Sequence, residues 1–135
     1  MMKVAIIGSR SYTNSRKVKE FIHKLKENFN EELEIVSGGQ KEGSDGYAKK
    51  YALEFDVKYS EFPPQHYSHN MHCVKPKYNY GKKYYVSNYF KRNKQIAEYS
   101  DRIVAFVTNP NNITSGTLST LQYAEKMNKK SIIID

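Results

Sequence analysis

Hydrophobic positions along the chain fall into short solid runs alternating with longer, spaced patterns. Val4-Ala5-Ile6-Ile7 is an unbroken apolar segment too short for a helix, and it stops at Gly8. Such a run predicts a central strand covered on both faces. Leu33–Val36, Val57–Phe62, Arg102–Val107 and Ser131–Ile134 predict four more strands. Between them the period changes. Asn14 is placed to cap a helix whose Val18, Phe21, Ile22, Leu25 and Phe29 recur at the spacing of one buried face. A second helix presents Ala48, Tyr51, Ala52 and Phe55, and a third, about Tyr84–Tyr99, turns Tyr85, Tyr89, Ile96 and Ala97 inward. A last helix, capped by Ser115, packs through Leu118, Leu121, Tyr123, Ala124 and Met127. Strand and helix alternate throughout, so the expected class is α/β with a mostly parallel five-stranded sheet and right-handed crossovers.

The loops that follow the strands carry the candidate chemistry. In an open α/β sheet, ligands bind at the carboxyl ends of the strands. Gly8-Ser9-Arg10 leaves the first strand there: Ser9 is a neutral donor, and Arg10 is a planar fork suited to phosphate. The plain alternative is that Gly8 only makes a tight turn and Arg10 is solvated. Ser37-Gly38-Gly39-Gln40-Lys41-Glu42-Gly43-Ser44-Asp45-Gly46 lies between a strand and a helix, the context in which backbone amides cradle phosphate. It is not a Walker loop, having no Gly-Lys-Ser/Thr. Asp45 either meets a ligand hydroxyl or orients a donor, or it caps the helix. Ser115-Gly116-Thr117 opens the last helix at the same sheet edge, so the loops at Gly8, Gly38 and Ser115 should converge.

Pro63-Pro64 closes the third strand, and from there to Lys83 neither period holds. The stretch interleaves lysine and tyrosine and reads as a lid over the crevice, with Tyr78, Tyr80, Tyr84 and Tyr85 as candidates to stack on a base. His66, His69, His72 and Cys73 form one run, whereas structural zinc sites pair two separated clusters, so no metal is expected. In the third helix Arg92 and Asn93 either project toward the crevice or, with Lys91, form a charged outer face. His23 lies on a lysine-rich face and reads as solvated.

Length and charge narrow the picture. At 135 residues one domain is expected, 1–135, with the lid as an insertion at about 63–83. No apolar run approaches a membrane span and no signal peptide precedes the first strand, so a cytoplasmic protein without a membrane partner is expected. The single cysteine, Cys73, fits a reducing compartment. A net charge of +8 favours an anionic partner, small or polymeric. Much of that charge lies on helix faces such as Arg16, Lys17, Lys24 and Lys26.

Taken in order and spacing, Gly8-Ser9-Arg10, Ser37-Gly38-Gly39 with Gly43 and Asp45, Arg92-Asn93, Ser100-Asp101 and Ser115-Gly116-Thr117 resemble the SLOG superfamily, in particular its small stand-alone members. The resemblance covers the chain except Pro63–Lys83. It implies a Rossmann-like three-layer fold that binds nucleotides or nucleotide-derived molecules, which some members sense as signals in prokaryotic and phage conflict systems. The LOG-type phosphoribohydrolases of this superfamily carry an arginine before a Ser-Asp, then a Pro-Gly-Gly-x-Gly-Thr-x-x-Glu loop. Arg92, Ser100-Asp101 and Gly116-Thr117 match, but Thr120 stands at the glutamate position and Asn111-Asn112 with Ser115 replace the Pro-Gly-Gly character. Threonine can neither stabilise positive charge on a ribose nor activate water. The expectation is therefore a protein that senses or sequesters an ADP-ribose-like or cyclic-nucleotide ligand without turnover and without a cofactor. The alternatives are a nucleotide N-glycosidase or phosphoribohydrolase using Arg92 with Asp45 or Glu42, and, third, single-stranded nucleic-acid binding through Lys75–Arg92. By analogy with related domains, a homodimer or higher oligomer paired through helix tyrosines is expected.

Overall fold

A computed structural model describes residues 1–62 and 86–135. Five strands, β1 (Met2–Gly8), β2 (Leu33–Ser37), β3 (Lys58–Glu61), β4 (Arg102–Phe106) and β5 (Lys130–Ile134), form one sheet in the order β3-β2-β1-β4-β5. All four pairings are parallel. The helices are α1 (Ser15–Phe29), α2 (Gly43–Glu54), α3 (Val86–Tyr99) and α4 (Ser115–Lys126), with a single 3-10 turn at Asn30–Glu32. The α/β architecture expected from the alternation is the one observed.

Successive side chains of a strand face opposite ways, and β1 shows the consequence. Val4 and Ile6 join a core with Val18 and Ile22 of α1, Ala48, Tyr51 and Ala52 of α2, and Phe106. Ala5 and Ile7 join a second core with Ile96 of α3 and with Leu121 and Ala124 of α4. Helices thus cover both faces, which is why β1 can be apolar at every position from Val4 to Ile7. Phe106, fully buried, meets Tyr12 at 5.5 Å and Phe21 at 5.7 Å between ring centres.

Helix ends follow local chemistry. The Asn14 carboxamide accepts from the Lys17 N–H at 3.3 Å, capping α1 as expected. Asn30, Asp56 and Asn128, at positive φ of 51°, 57° and 58°, turn the chain just after α1, α2 and α4, a conformation these side chains tolerate. Two lysines reach the carbonyl ends of neighbouring helices: Lys26 donates to Phe55 O after α2, and Lys129 donates to Ala97 O and Glu98 O of α3 at 2.7 and 2.6 Å.

Two expectations need correction. Ser115 is the first residue of α4 rather than its cap, the cap position being Thr114. Leu118 is exposed, because α4 turns Thr117, Thr120, Leu121 and Ala124 inward instead. Glu34 was not anticipated: it is fully buried in β2, accepting from Ser60 Oγ at 2.8 Å and from Tyr99 OH, with Lys58 Nζ at 3.2 Å. Burial pushes its carboxyl up, and the bonds from Tyr99, Ser60 and Lys58 outweigh it, so the pKa lies below the ordinary value.

Candidate functional site

From β3 the chain crosses back over β1 to β4, so the connections diverge at the carboxyl ends of β1 and β4. A cavity of about 460 Å3 opens there. Its walls come from the β1 exit (Gly8, Ser9, Arg10), the β2 exit (Gly38, Gln40, Asp45), α3 (Arg92, Asn93) and the start of α4 (Ser115, Gly116, Thr117).

At the β1 exit the glycine is set by packing between strands. Gly8 has φ +147°, and a Cβ there would lie 1.9 Å from the Phe106 carbonyl oxygen. The close approach of β4 alone already requires it. Ser9 N–H donates to that same oxygen at 3.2 Å, and Ser9 O accepts from Tyr12 N–H at 3.2 Å and Ser44 N–H at 3.4 Å. The Ser9 hydroxyl pairs with Ser11 Oγ at 2.6 Å, so the loop is tied into the protein on every side. Arg10 is exposed at the mouth beside the Gln40 carboxamide, which with its O and N interchanged accepts from Arg10 Nε at 3.3 Å and Nη2 at 3.0 Å.

The β2 exit divides into wall and backing. Ser37, Gly39 and Gly43 do not line the cavity. Ser37 is fully buried, its hydroxyl 2.5 Å from Tyr59 OH and accepting from Gly39 N–H at 3.3 Å, and Tyr59 donates onward to Glu61 at 3.0 Å. Burial, with Glu61 nearby, raises the Tyr59 phenol far above its usual value. Gly43 packs against the Ser9 and Arg10 backbone. Asp45 does not cap α2 in the ordinary way, since Glu42 holds the cap position with no side-chain bond to the helix. The Asp45 carboxylate instead accepts from Gln40 N–H at 3.4 Å. Burial pushes the Asp45 carboxyl up to about 6, against the pull of Arg92 and the loop N–H groups, with Glu61 adding to the rise.

On α3 the two readings of Lys91-Arg92-Asn93 separate: Lys91 is exposed, while Arg92 and Asn93 face the cavity. Arg92 Nη1 donates to Gly38 O at 2.9 Å and Phe62 O at 3.4 Å, and its Nε donates to Asn93 Oδ1 at 2.9 Å. Asn93, nearly fully buried, passes the chain of bonds to Gly116 O at 3.2 Å. One run of contacts therefore joins the β2 exit, α3 and α4.

At α4 the cap residue Thr114 makes no side-chain bond to the helix amides, its hydroxyl donating to Thr117 Oγ1 at 3.1 Å. Thr120, buried, donates to Gly116 O at 3.3 Å. The first turn of α4, rimmed by Ser115, Gly116 and Thr117, is a partial positive charge at the cavity edge. Sequence reasoning missed Gln40, Phe90, Ile96 and Thr114 as lining residues. Phe90, Asn93 and Ile96 recur every three residues, a signal present in the sequence. The lid expected at 63–83, its Tyr78 and Tyr84, and His66, His69, His72 and Cys73 lie outside the described residues.

A family model described as the YspA, cpYpsA-related SLOG family matches residues 2–69, half of the chain. The chain belongs to this SLOG family. In this SLOG chain the matched half carries β1, β2 and β3 and the loops at Gly8 and Gly38. No curated protein matches it. Among solved structures, DNA processing protein A (DprA) from Streptococcus pneumoniae is 23% identical with a TM-score of 0.74, covering 100% of this chain and 50% of that one. DprA from Helicobacter pylori, described by its single-stranded DNA binding mode, is 23% identical with a TM-score of 0.72, covering 98% of this chain and 64% of that one. The molybdenum cofactor binding protein of Rippkaea orientalis is 19% identical with a TM-score of 0.66, covering 98% of this chain and 75% of that one. The SLOG chain thus spans half to three quarters of the length of these structures, and the likenesses show its fold.

Proposed function

We propose that the cavity binds a nucleotide-derived small molecule, ADP-ribose-like or a cyclic nucleotide, which the protein senses or sequesters without turnover. The observation that carries this reading is the meeting of the β1 exit, the β2 exit and the start of α4 around about 460 Å3, within the range of small-ligand sites. Arg10 and the first turn of α4 take the anionic part of the ligand. Arg92, fastened to Gly38 and Asn93, fixes the opposite wall.

Titration calorimetry against nucleoside monophosphates, cyclic nucleotides and ADP-ribose is expected to give heat with at least one of them. Arg10→Ala should weaken that binding by about tenfold. Absence of heat from all of them, with the protein folded by circular dichroism, overturns the reading.

A second reading is single-stranded nucleic-acid binding. It is supported by the net charge of +8 and by what is described for the Helicobacter pylori neighbour. Its mark is oligonucleotide binding that weakens steeply as salt rises.

A further inference from the structure

Among the described residues that line the cavity the charged groups are Arg10, Arg92 and Asp45. Two of the three suit an anion. The third opposes one, and its placement is deliberate in the chemical sense: Asp45 is only 8% exposed and turned back onto the loop that precedes its own helix. A glycine-dense strand-to-helix loop commonly offers its amides to a ligand phosphate. Here the N–H group of Gln40 goes to the Asp45 carboxylate at 3.4 Å, and that of Gly39 goes to Ser37 Oγ at 3.3 Å. These two loop donors are filled by the protein's own oxygens. At α4 the situation is opposite, since Thr114 leaves the first-turn amides without a side-chain cap and Gly116 faces open space, with only Asn93 Nδ2 at 4.0 Å from where a Cβ would lie. The cavity therefore has one rim suited to negative charge and one rim that already holds it.

Resting on the reading that a nucleotide-derived molecule binds here, we propose that Asp45 is a specificity-determining residue. It admits one anionic group, at the α4 rim, and requires the part of the ligand beside Gly38 to be neutral and to donate hydrogen bonds, as a sugar hydroxyl does. An ionised carboxylate only accepts, so a hydroxyl satisfies its remaining lone pairs. A second phosphate in that place meets a like charge in a buried setting with its amide partners already engaged, which rejects it without any added contact to the favoured ligand. Glu61, behind Asp45, adds negative charge to this side, and Arg92 offsets it in part.

The test is calorimetry at pH 8 with nucleoside 5′-monophosphates and the matching 3′,5′-bisphosphates, run on the wild type, Asp45→Asn and Asp45→Ser. Asparagine keeps an oxygen for the Gln40 amide, and serine removes the carboxylate by a different route. Thermal melting confirms that each variant is folded. The wild type should favour the monophosphate by about tenfold or more, and both variants should shrink that ratio toward one. An unchanged ratio in both folded variants overturns the role of Asp45 while leaving the nucleotide reading in place. No heat from either nucleotide class with the wild type overturns the role of Asp45, and the nucleotide reading falls with it only when cyclic nucleotides and ADP-ribose also give none.

Discussion

Asp45 shows how one side chain couples the cavity to the stability of the fold. Its carboxyl titrates near 6 in the folded protein, because burial outweighs Arg92 and the loop amides, and near the usual 3.8 when unfolded. Between those values the folded state holds a proton that the unfolded state has released. Stability therefore falls as pH rises through that window, and the loss is complete above about 6. Asp45→Asn, which mimics the protonated form, should remove this slope and stabilise the protein at pH 7 by about 3 kcal/mol. Urea midpoints measured from pH 4 to 7 check it. A wild-type profile that is flat, or rises, across that window contradicts the assignment. Neither outcome could be read from the sequence, where Asp45 stood equally for a helix cap and a ligand partner. The deciding fact is where the Gln40 amide points. Gly8 is a similar case: its position in the chain was visible, but its cause is a carbonyl at Phe106, far along the sequence, that no local pattern reveals.

At the scale of elements, legibility follows period. The apolar runs of β1, β2 and β4 and the five-residue face of α1 announce themselves because burial on one or two faces demands a fixed spacing. On α4 the inward stripe is Thr117, Thr120, Leu121 and Ala124, which has helical spacing but begins with two polar residues. Their hydroxyls are satisfied locally, by Thr114 and by Gly116 O, which lets them face inward along the cavity wall. A reading weighted by hydrophobicity chose Leu118 in their place. The central packing rests on β4. Phe106→Ala would remove the ring that Tyr12 and Phe21 meet from either side, and should cost about 3–5 kcal/mol. The measurement is the denaturant midpoint with unchanged slope; a loss under about 1 kcal/mol would mean that the site collapses to fill the space.

For the molecule as a whole, the position that the resemblance to LOG-type phosphoribohydrolases assigns to turnover is Thr120, which lines the cavity with its hydroxyl committed to Gly116 O. It cannot serve as general base or stabilise an oxocarbenium ion. Nucleoside monophosphates and ADP-ribose incubated with the protein should accordingly be recovered intact by chromatography. Release of free base or of ribose phosphate would replace the binding reading with a hydrolase whose acid is Asp45, the one carboxylate among the described lining residues.

The lysines that reach across helix ends qualify how the net charge of +8 is understood. Lys26 and Lys129 belong to the architecture, each closing off the terminal carbonyls of a neighbour. Stripping positive residues wholesale to tame nonspecific adhesion would therefore unpick two helix junctions along with the surface field. An engineer lowering the charge of this protein should spare those two ammonium groups and begin with freely solvated positions such as Lys24.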